Sequence, residues 1–503
     1  MAEPRKLLYV LACSLVALTA GLAAPLAAEA SRTQLSLLQD DAELFGDRGE
    51  DPAAAMREIR DLGVDVLRTN VLFYRVYRQM NDRVKPAGFD TSDPGEALYD
   101  WSKVDRIAGL ARANGIKLMF TVSGPGPHWA SEQPGRCERD EICTWKPDPE
   151  EFGQFAAAVA KRYRGRVDWY SIYNEPNIKS WLTPEVKRTP QGKVDVGGIY
   201  YRRLWRAGYE AIAEHDPVRR NRVLFGEVAG IGDPLQLLGA ALCLDYRTGK
   251  PFKGRLRTLN RCPKRPAKLN VGGYAIHPYN FAAYGSPRER IRGNRPAALI
   301  QSHIPRLHRF MGAAARHGRT PGGRAIYITE FGYQTRPPDR FSTVTPTEQA
   351  RYINETERRF YGDPRVRTVA QYQLVDVADS DQFNTGLRNA RSLGGRKKPS
   401  YDAYRLPIVV TRRSARKVEV YGQVRPARLL SEPAKAEIQM RGASSFRTVA
   451  TATGNARGIF VRKLTRPGAA SAKWRLVWTD PLTGLRRTSR VAVAGKPIVY
   501  YRD

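Results

Sequence analysis

The chain has 503 residues, 42% hydrophobic and 26% charged, which is enough apolar material for one large folded unit and a smaller one. Its 83 Lys and Arg against 50 Asp and Glu leave a formal charge of +33. The arginines are spread along the chain with no groove-reading module among them. That pattern excludes specific nucleic-acid recognition and leaves a basic surface able to stick to anionic polymers or membranes.

At the N-terminus, Arg5 and Lys6 precede a mostly apolar run from Leu7 to Leu22, and Ala28-Glu29-Ala30 is a small-x-small motif. The pattern predicts a signal peptide over 1–30, cleaved after Ala30, and a secreted or cell-surface protein; the alternative is an uncleaved anchor. Cys13 lies in this segment without a lipobox closing the apolar run. No other run is long and apolar enough to span a membrane, so the mature chain is expected to have no transmembrane segment. Four cysteines remain, and an even number in an exported chain predicts disulfides. Of the three possible pairings, sequence proximity favours Cys137 with Cys143 and Cys243 with Cys262. Neither Cys-x-x-Cys spacing nor neighbouring histidines point to a structural metal.

In chain order, Gln34 to Gln39 reads as a first strand. Asp51-Pro52 opens a helix to Leu62, with apolar residues at Ala55, Met56, Ile59 and Leu62. Val64 to Leu72 is a second strand, with Arg68 and Asn70 placed near its carboxyl end. A helix over Trp101–Asn114 leads to a third strand, Ile116–Ser123, and to a Gly-Pro-Gly-Pro-His-Trp loop expected on the rim. Asp148-Pro149-Glu150-Glu151 reads as an N-cap, a first-turn proline and a capping-box glutamate.

Val167 to Asn177 then alternates apolar and polar residues and stops at Glu175-Pro176, because proline cannot extend a sheet ladder. A helix over Gly198–His215 and a fifth strand, Arg222–Val228, follow. The segment 233–268 lacks periodicity and reads as a loop excursion with some short helix. Val271–His277 is a sixth strand, and Ala297–His317 is helical. Ala325 to Tyr333 is a seventh strand, with Glu330 at its tip and Gly332 breaking it. Thr345-Pro346-Thr347-Glu348 opens another helix, and Val366–Val375 is the eighth strand. Eight strand–helix units predict an α/β closed (β/α)8 TIM barrel over 31–404 rather than an open sheet.

Beyond residue 405 short alternating runs replace helical spacing: 418–424, 434–440, 459–464, 473–479 and 489–493. They predict a small all-β sandwich, Ig- or fibronectin-like, over 405–503. It holds 21 Lys and Arg against 5 Asp and Glu, a net of +16. The open readings are carbohydrate binding, contact with an anionic cell-wall polymer, or a brace for the barrel.

Asn174-Glu175-Pro176 followed by Thr329-Glu330-Phe331-Gly332 resembles glycoside hydrolase clan A, the retaining glycosidases on (β/α)8 barrels, and most resembles families 5 and 39. The resemblance implies that Glu175 ends strand four as acid/base and Glu330 ends strand seven as nucleophile, with no cofactor and no metal. It implies that Asn174 binds the sugar 2-OH and that Arg68 supports the nucleophile. His277 and Tyr279 would contact sugar or orient Glu330. Trp129 beside His128, Trp181, and Tyr372 are candidate sugar contacts. Many clan members place a tryptophan at the end of strand eight; here the strand reads Gln371-Tyr372-Gln373, so Tyr372 or Gln373 takes that place.

Retaining chemistry needs one protonated and one ionised carboxyl about 5–5.5 Å apart. An ionised Glu330 would keep its neighbour Glu175 protonated. The competing classes are a non-catalytic carbohydrate-binding or cell-wall-associated protein on the same frame, and a metal-dependent barrel hydrolase. The second would need several converging ligands, and only His277 of six histidines ends a strand convincingly.

Overall fold

The computed structural model describes residues 31 and 33–500, apart from 191, 281–285, 289–295, 341–342, 378–382, 466–470 and 499. The expected signal peptide and its cleavage site lie outside the described residues.

Eight parallel strands close into a barrel in chain order: β1 (Leu35–Gln39), β2 (Val66–Leu72), β3 (Lys117–Ser123), β4 (Trp169–Ile172), β5 (Val223–Ala229), β6 (Gly273–His277), β7 (Ile326–Ile328) and β8 (Val366–Tyr372). β8 pairs with β1 to shut the ring. Strands buried on both faces read as near-continuous apolar runs, which is why β5 and β6 carry so little alternation.

The longer helices outside the barrel are α1 (Pro52–Asp61), α2 (Ser102–Ala113), α3 (Pro149–Arg162), α4 (Val196–His215), α5 (Pro234–Leu242), α6 (Ile304–Arg316) and α7 (Pro346–Tyr361). Asp51 and Asp148 accept backbone N–H bonds as N-caps, and Thr345 with Glu348 forms the full capping box. Glu151 does not close a box at α3. Its carboxylate instead takes Lys85 at 2.9 Å and Thr91 at 2.7 Å.

One boundary differs from expectation: α6 begins at Ile304 rather than 297, since Pro305 fits only a first turn. The segment 233–268 carries the short helix expected of it in α5, whose Leu-Gln-Leu-Leu-Gly-Ala-Ala-Leu is apolar all round and buried on nearly every side. Among the described residues, no helix is long and apolar enough to cross a membrane. Both disulfides pair by proximity, Cys137–Cys143 and Cys243–Cys262.

The C-terminal unit is two antiparallel sheets. One runs β9 (Ile408–Arg412), β10 (Lys417–Gln423), β13 (Ile459–Thr465). The other holds β11 (Lys435–Arg441), β12 (Phe446–Thr453), β14 (Lys473–Thr479), β15 (Arg486–Thr488) and β16 (Ala492–Val493). Their inner faces enclose a separate core around Ile408, Val420, Ile438, Trp474 and Leu476.

This unit docks on the amino-terminal ends of the barrel strands. Arg428 donates to the carbonyls of Val64 (3.0 Å) and Gly115 (3.3 Å), and Arg457 pairs with Asp65 at 2.6 Å. Arg425, buried, pairs with Glu357 at 2.8 Å and lies over the Tyr404 ring. The approach is close: a Cβ on Gly63, whose φ is +76°, would meet Pro426 Cα at 2.7 Å.

Candidate active site

The site is assembled at the opposite end, where the strands finish. β4 stops at Ile172, and Tyr173 and Glu175 take positive φ values of 66° and 39°. That conformation is uncommon for non-glycine residues and clusters at functional positions. Asn177 stabilises the turn by donating to the carbonyls of Ala229 (3.2 Å) and Ile231 (2.5 Å) while accepting from the Ala229 N–H at 2.9 Å. The Asn-Glu-Pro-Asn segment is thereby tied to the end of β5.

Glu175 and Glu330 meet. Carboxylate oxygens of the two lie within 4.8 Å of each other, with a nitrogen of His277 in the same small volume. Both line a cleft of about 350 Å³, together with Asn174, Trp181, Tyr279 and Tyr372.

Arg68 sits beneath the cleft. It is the third residue of β2, not a residue of the strand's end, and is fully buried. Its guanidinium donates from Nη1 to Glu330 (2.6 Å) and to Gln39, and from Nη2 to Asn174 Oδ1 (2.7 Å) and Glu227 Oε2 (2.7 Å). Its Nε donates to Thr121 at 3.0 Å. A planar fork with five donors suits this arrangement, and a lysine could not supply it. Asn174 Oδ1 is committed to Arg68, so its amide donors are the end left for a ligand.

His277 ends β6. Its Nδ1 is 2.9 Å from Glu175 Oε1 and 3.5 Å from Glu330 Oε2, and its Nε2 is 2.7 Å from Glu227 Oε2. Both ring nitrogens are thus engaged by carboxylates, with the donor at each set by the tautomer, and Glu175, His277 and Glu330 lie close enough together to hold a metal ion as well. Burial works against its charge, but Glu330 together with the bonds to Glu175 and Glu227 raises its pKa to about 9. Burial pushes the Glu330 carboxyl up, and the charges of His277 and Arg68 pull against it. The Tyr279 hydroxyl donates to Glu330 Oε2 at 3.2 Å and is itself held well above its ordinary pKa by burial and by Glu330. Three donor groups thus converge on Glu330, and against them burial still leaves its carboxyl raised above the ordinary value.

His128 and Trp129 do not reach the cleft. Trp129 packs edge-on against Phe73 (5.8 Å), Tyr77 (5.6 Å) and Phe89 (5.9 Å), and His128 is buried with Nε2 at 2.9 Å from the Glu141 carbonyl oxygen. The rim loop folds inward because its aromatic side chains gain more by joining that cluster than by facing water. Trp181 does line the cleft, half-buried, and Tyr372, the last residue of β8, lies edge-on to Tyr279.

Two features were not legible in the sequence. Glu227, in β5, is a third carboxylate, fully buried. Burial opposes its ionisation, but Arg68 and His277 overcome this and bring its pKa down to about 2. Asp41, just past β1, lines the cleft and accepts from Thr69 (2.5 Å), Gln39 (2.9 Å) and Asn70 (3.1 Å).

No protein-family description and no curated protein matches the chain. Among solved structures, a family 39 glycoside hydrolase from Bacteroides cellulosilyticus WH2 is similar at 16% identity and a TM-score of 0.48, over 86% of this chain and 80% of that one. A monomeric beta-xylosidase from Caulobacter crescentus CB15 is similar at 16% identity and 0.49, over 88% and 96%. A glucosidase from Croceicoccus marinus is similar at 10% identity and 0.48, over 87% and 94%. Likenesses this remote carry no activity across to this chain, which has to be argued from its own residues.

Proposed function

We propose that the chain is a retaining glycoside hydrolase of the clan A kind, cleaving β-glycosidic bonds of an oligo- or polysaccharide. The observation that carries the reading is the pair Glu175 and Glu330, oxygens within 4.8 Å, facing one cleft. Inverting enzymes hold their carboxyls about 6.5–9.5 Å apart to admit a water between them, and the approach of these two oxygens favours the closer, retaining arrangement.

The reaction then runs in two displacements. Glu330 attacks the anomeric carbon while Glu175 gives its proton to the departing oxygen; the glycosidic bond breaks and a glycosyl ester forms on Glu330. Glu175, now ionised, takes a proton from water. The hydroxide equivalent adds to the anomeric carbon, the ester bond breaks, and Glu330 regains its charge. Arg68, His277 and Tyr279 hold Glu330 in place, and Asn174 presents donors to the sugar.

The N-terminal segment supports export, with the sugar chain met outside the cell. The C-terminal unit is read as a brace, since it docks on the far end of the barrel from the cleft.

The test is hydrolysis of a panel of aryl β-glycosides by the wild-type chain and by Glu330→Gln. Loss of on the order of a thousandfold or more in kcat, with the first product formed as the β anomer by proton NMR, supports the reading. Full activity in Glu330→Gln, or an α product, refutes it. Sugar binding without hydrolysis in the wild type would favour the non-catalytic alternative.

A further inference from the structure

The hydrolytic cycle uses Glu175 and Glu330. It gives no task to Glu227, which neither lines the cleft nor can touch a sugar. Yet the fold goes to some length to put it there. The β5–β6 register slips between Gly226 and Val228, and Glu227 takes a φ of +47° in the resulting bulge. Gly226, at φ +122°, allows the approach, because a Cβ there would meet the Ala275 carbonyl oxygen at 2.4 Å. The Glu227 carbonyl accepts the Glu175 N–H at 2.8 Å, so the bulge also anchors the backbone of the acid/base.

One oxygen of its carboxylate collects partners from β2, β6 and the residue just after β7. Arg68 Nη2 and His277 Nε2 are each at 2.7 Å, and Thr329 Oγ1 is at 3.1 Å. The ionisable groups facing His277 are Glu175 after β4, Glu227 on β5 and Glu330 after β7. Arg68 on β2 and Tyr279 after β6 reach the same carboxylates.

Charge accounting gives Glu227 its role, on the reading that Glu175 and Glu330 are acid/base and nucleophile. In the free enzyme the cations Arg68 and His277 face the anions Glu227 and Glu330, and Glu175 carries its proton, so these five groups are together neutral, with Asp41 acting on Arg68 from the cleft side. In the glycosyl-enzyme Glu330 has lost its charge to the ester, and neutrality returns when Glu175 ionises. The exchange of roles keeps a low-dielectric cluster balanced throughout, which matters because an unpaired buried charge is costly. Without the charge of Glu227, the free enzyme would carry one positive charge too many and would shed a proton from Glu175 or His277.

We propose that Glu227 is a positioning residue that keeps His277 doubly protonated and Glu175 proton-bearing at the start of each cycle. Glu227→Gln keeps the shape and removes the charge. Its alkaline limb of kcat/KM on an aryl β-glycoside should move down by about one pH unit or more. Glu227→Asp should bring the limb part of the way back. A limb that stays in place, or a loss of rate equal at all pH values, overturns the proposal, because a merely structural role would produce either.

A second measurement needs neither a substrate nor a foldable variant. Nitrogen-15 NMR of the imidazole in the wild-type chain should show His277 with both N–H protons through neutral pH. A neutral His277 there overturns the proposal even if Glu330→Gln has upheld the glycosidase reading. Conversely, a doubly protonated His277 stands even if no glycoside is cleaved, which separates the two claims.

Discussion

Arg68 holds Glu330 from below the cleft at 2.6 Å, with the guanidinium wholly buried. It is the only group among the described residues that bonds to Glu330, Glu227 and Asn174 together. Arg68→Met should therefore cost about 3–5 kcal/mol of stability, because it leaves buried carboxylates uncompensated. Arg68→Lys should recover little, since one ammonium cannot serve the same fork of acceptors. Chemical denaturation checks this, and a lysine variant as stable as wild type would refute it.

The two tryptophans once grouped as sugar contacts should separate. Trp129→Ala should lower stability by about 3–5 kcal/mol, because it empties a packed aromatic cluster. Trp181→Ala should leave stability nearly unchanged and raise KM, since the indole is half-buried and faces the cleft. Thermal melts paired with steady-state kinetics distinguish them. A KM effect confined to Trp129→Ala would reverse the assignment.

Stability should depend on pH in a defined window. His277 is raised from 6.5 to about 9, so its contribution is complete below 6.5 and lost as pH rises through 9. Glu227 is lowered from 4.5 to about 2, so its contribution is complete above 4.5 and lost as pH falls through 2. The melting temperature should be highest between those limits and decline from 6.5 toward 9. Glu227→Gln should flatten the alkaline decline; an unchanged slope in that variant would count against the linkage.

Cys243–Cys262 closes a loop with a sequence separation of 19. Replacing both cysteines by serine should lose about 3 kcal/mol, chiefly by freeing the unfolded chain. The same change at Cys137–Cys143, with a separation of 6, should lose less. Equilibrium unfolding of the two double variants orders them.

How much of this could be read in advance depended on where the signal sits. The barrel strands were legible because they are short apolar runs, several of them closed by glycine or proline, and Glu175 and Glu330 stood out because each follows such a run. Glu227 was hidden for the opposite reason: its strand, Val-Leu-Phe-Gly-Glu-Val-Ala, continues past it, and nothing in the spacing marks a bulge. His128 and Trp129 were misplaced because a Gly-Pro loop says that the chain turns but not which way its rings face. In the C-terminal unit β9, β12 and β15 passed unread: β12 has both faces largely solvated and β15 is three residues long, so neither alternates clearly.

Arg425 should behave as part of the barrel. Arg425→Met leaves Glu357 buried without its cation, so loss of stability on the order of 3–5 kcal/mol is expected in the whole chain. A variant melting like wild type would mean that the two units are joined by little more than their linker.

The cationic C-terminal unit and the cleft of Glu175 and Glu330 lie at opposite ends of the barrel. Arg425, Arg428 and Arg457 of that unit are turned inward as fastening, while Arg412, Arg441 and Arg462 are exposed to solvent. A chain settled by this face on any anionic support would hold its mouth toward the bulk medium. The cleft would then meet what arrives from solution rather than the material beneath it.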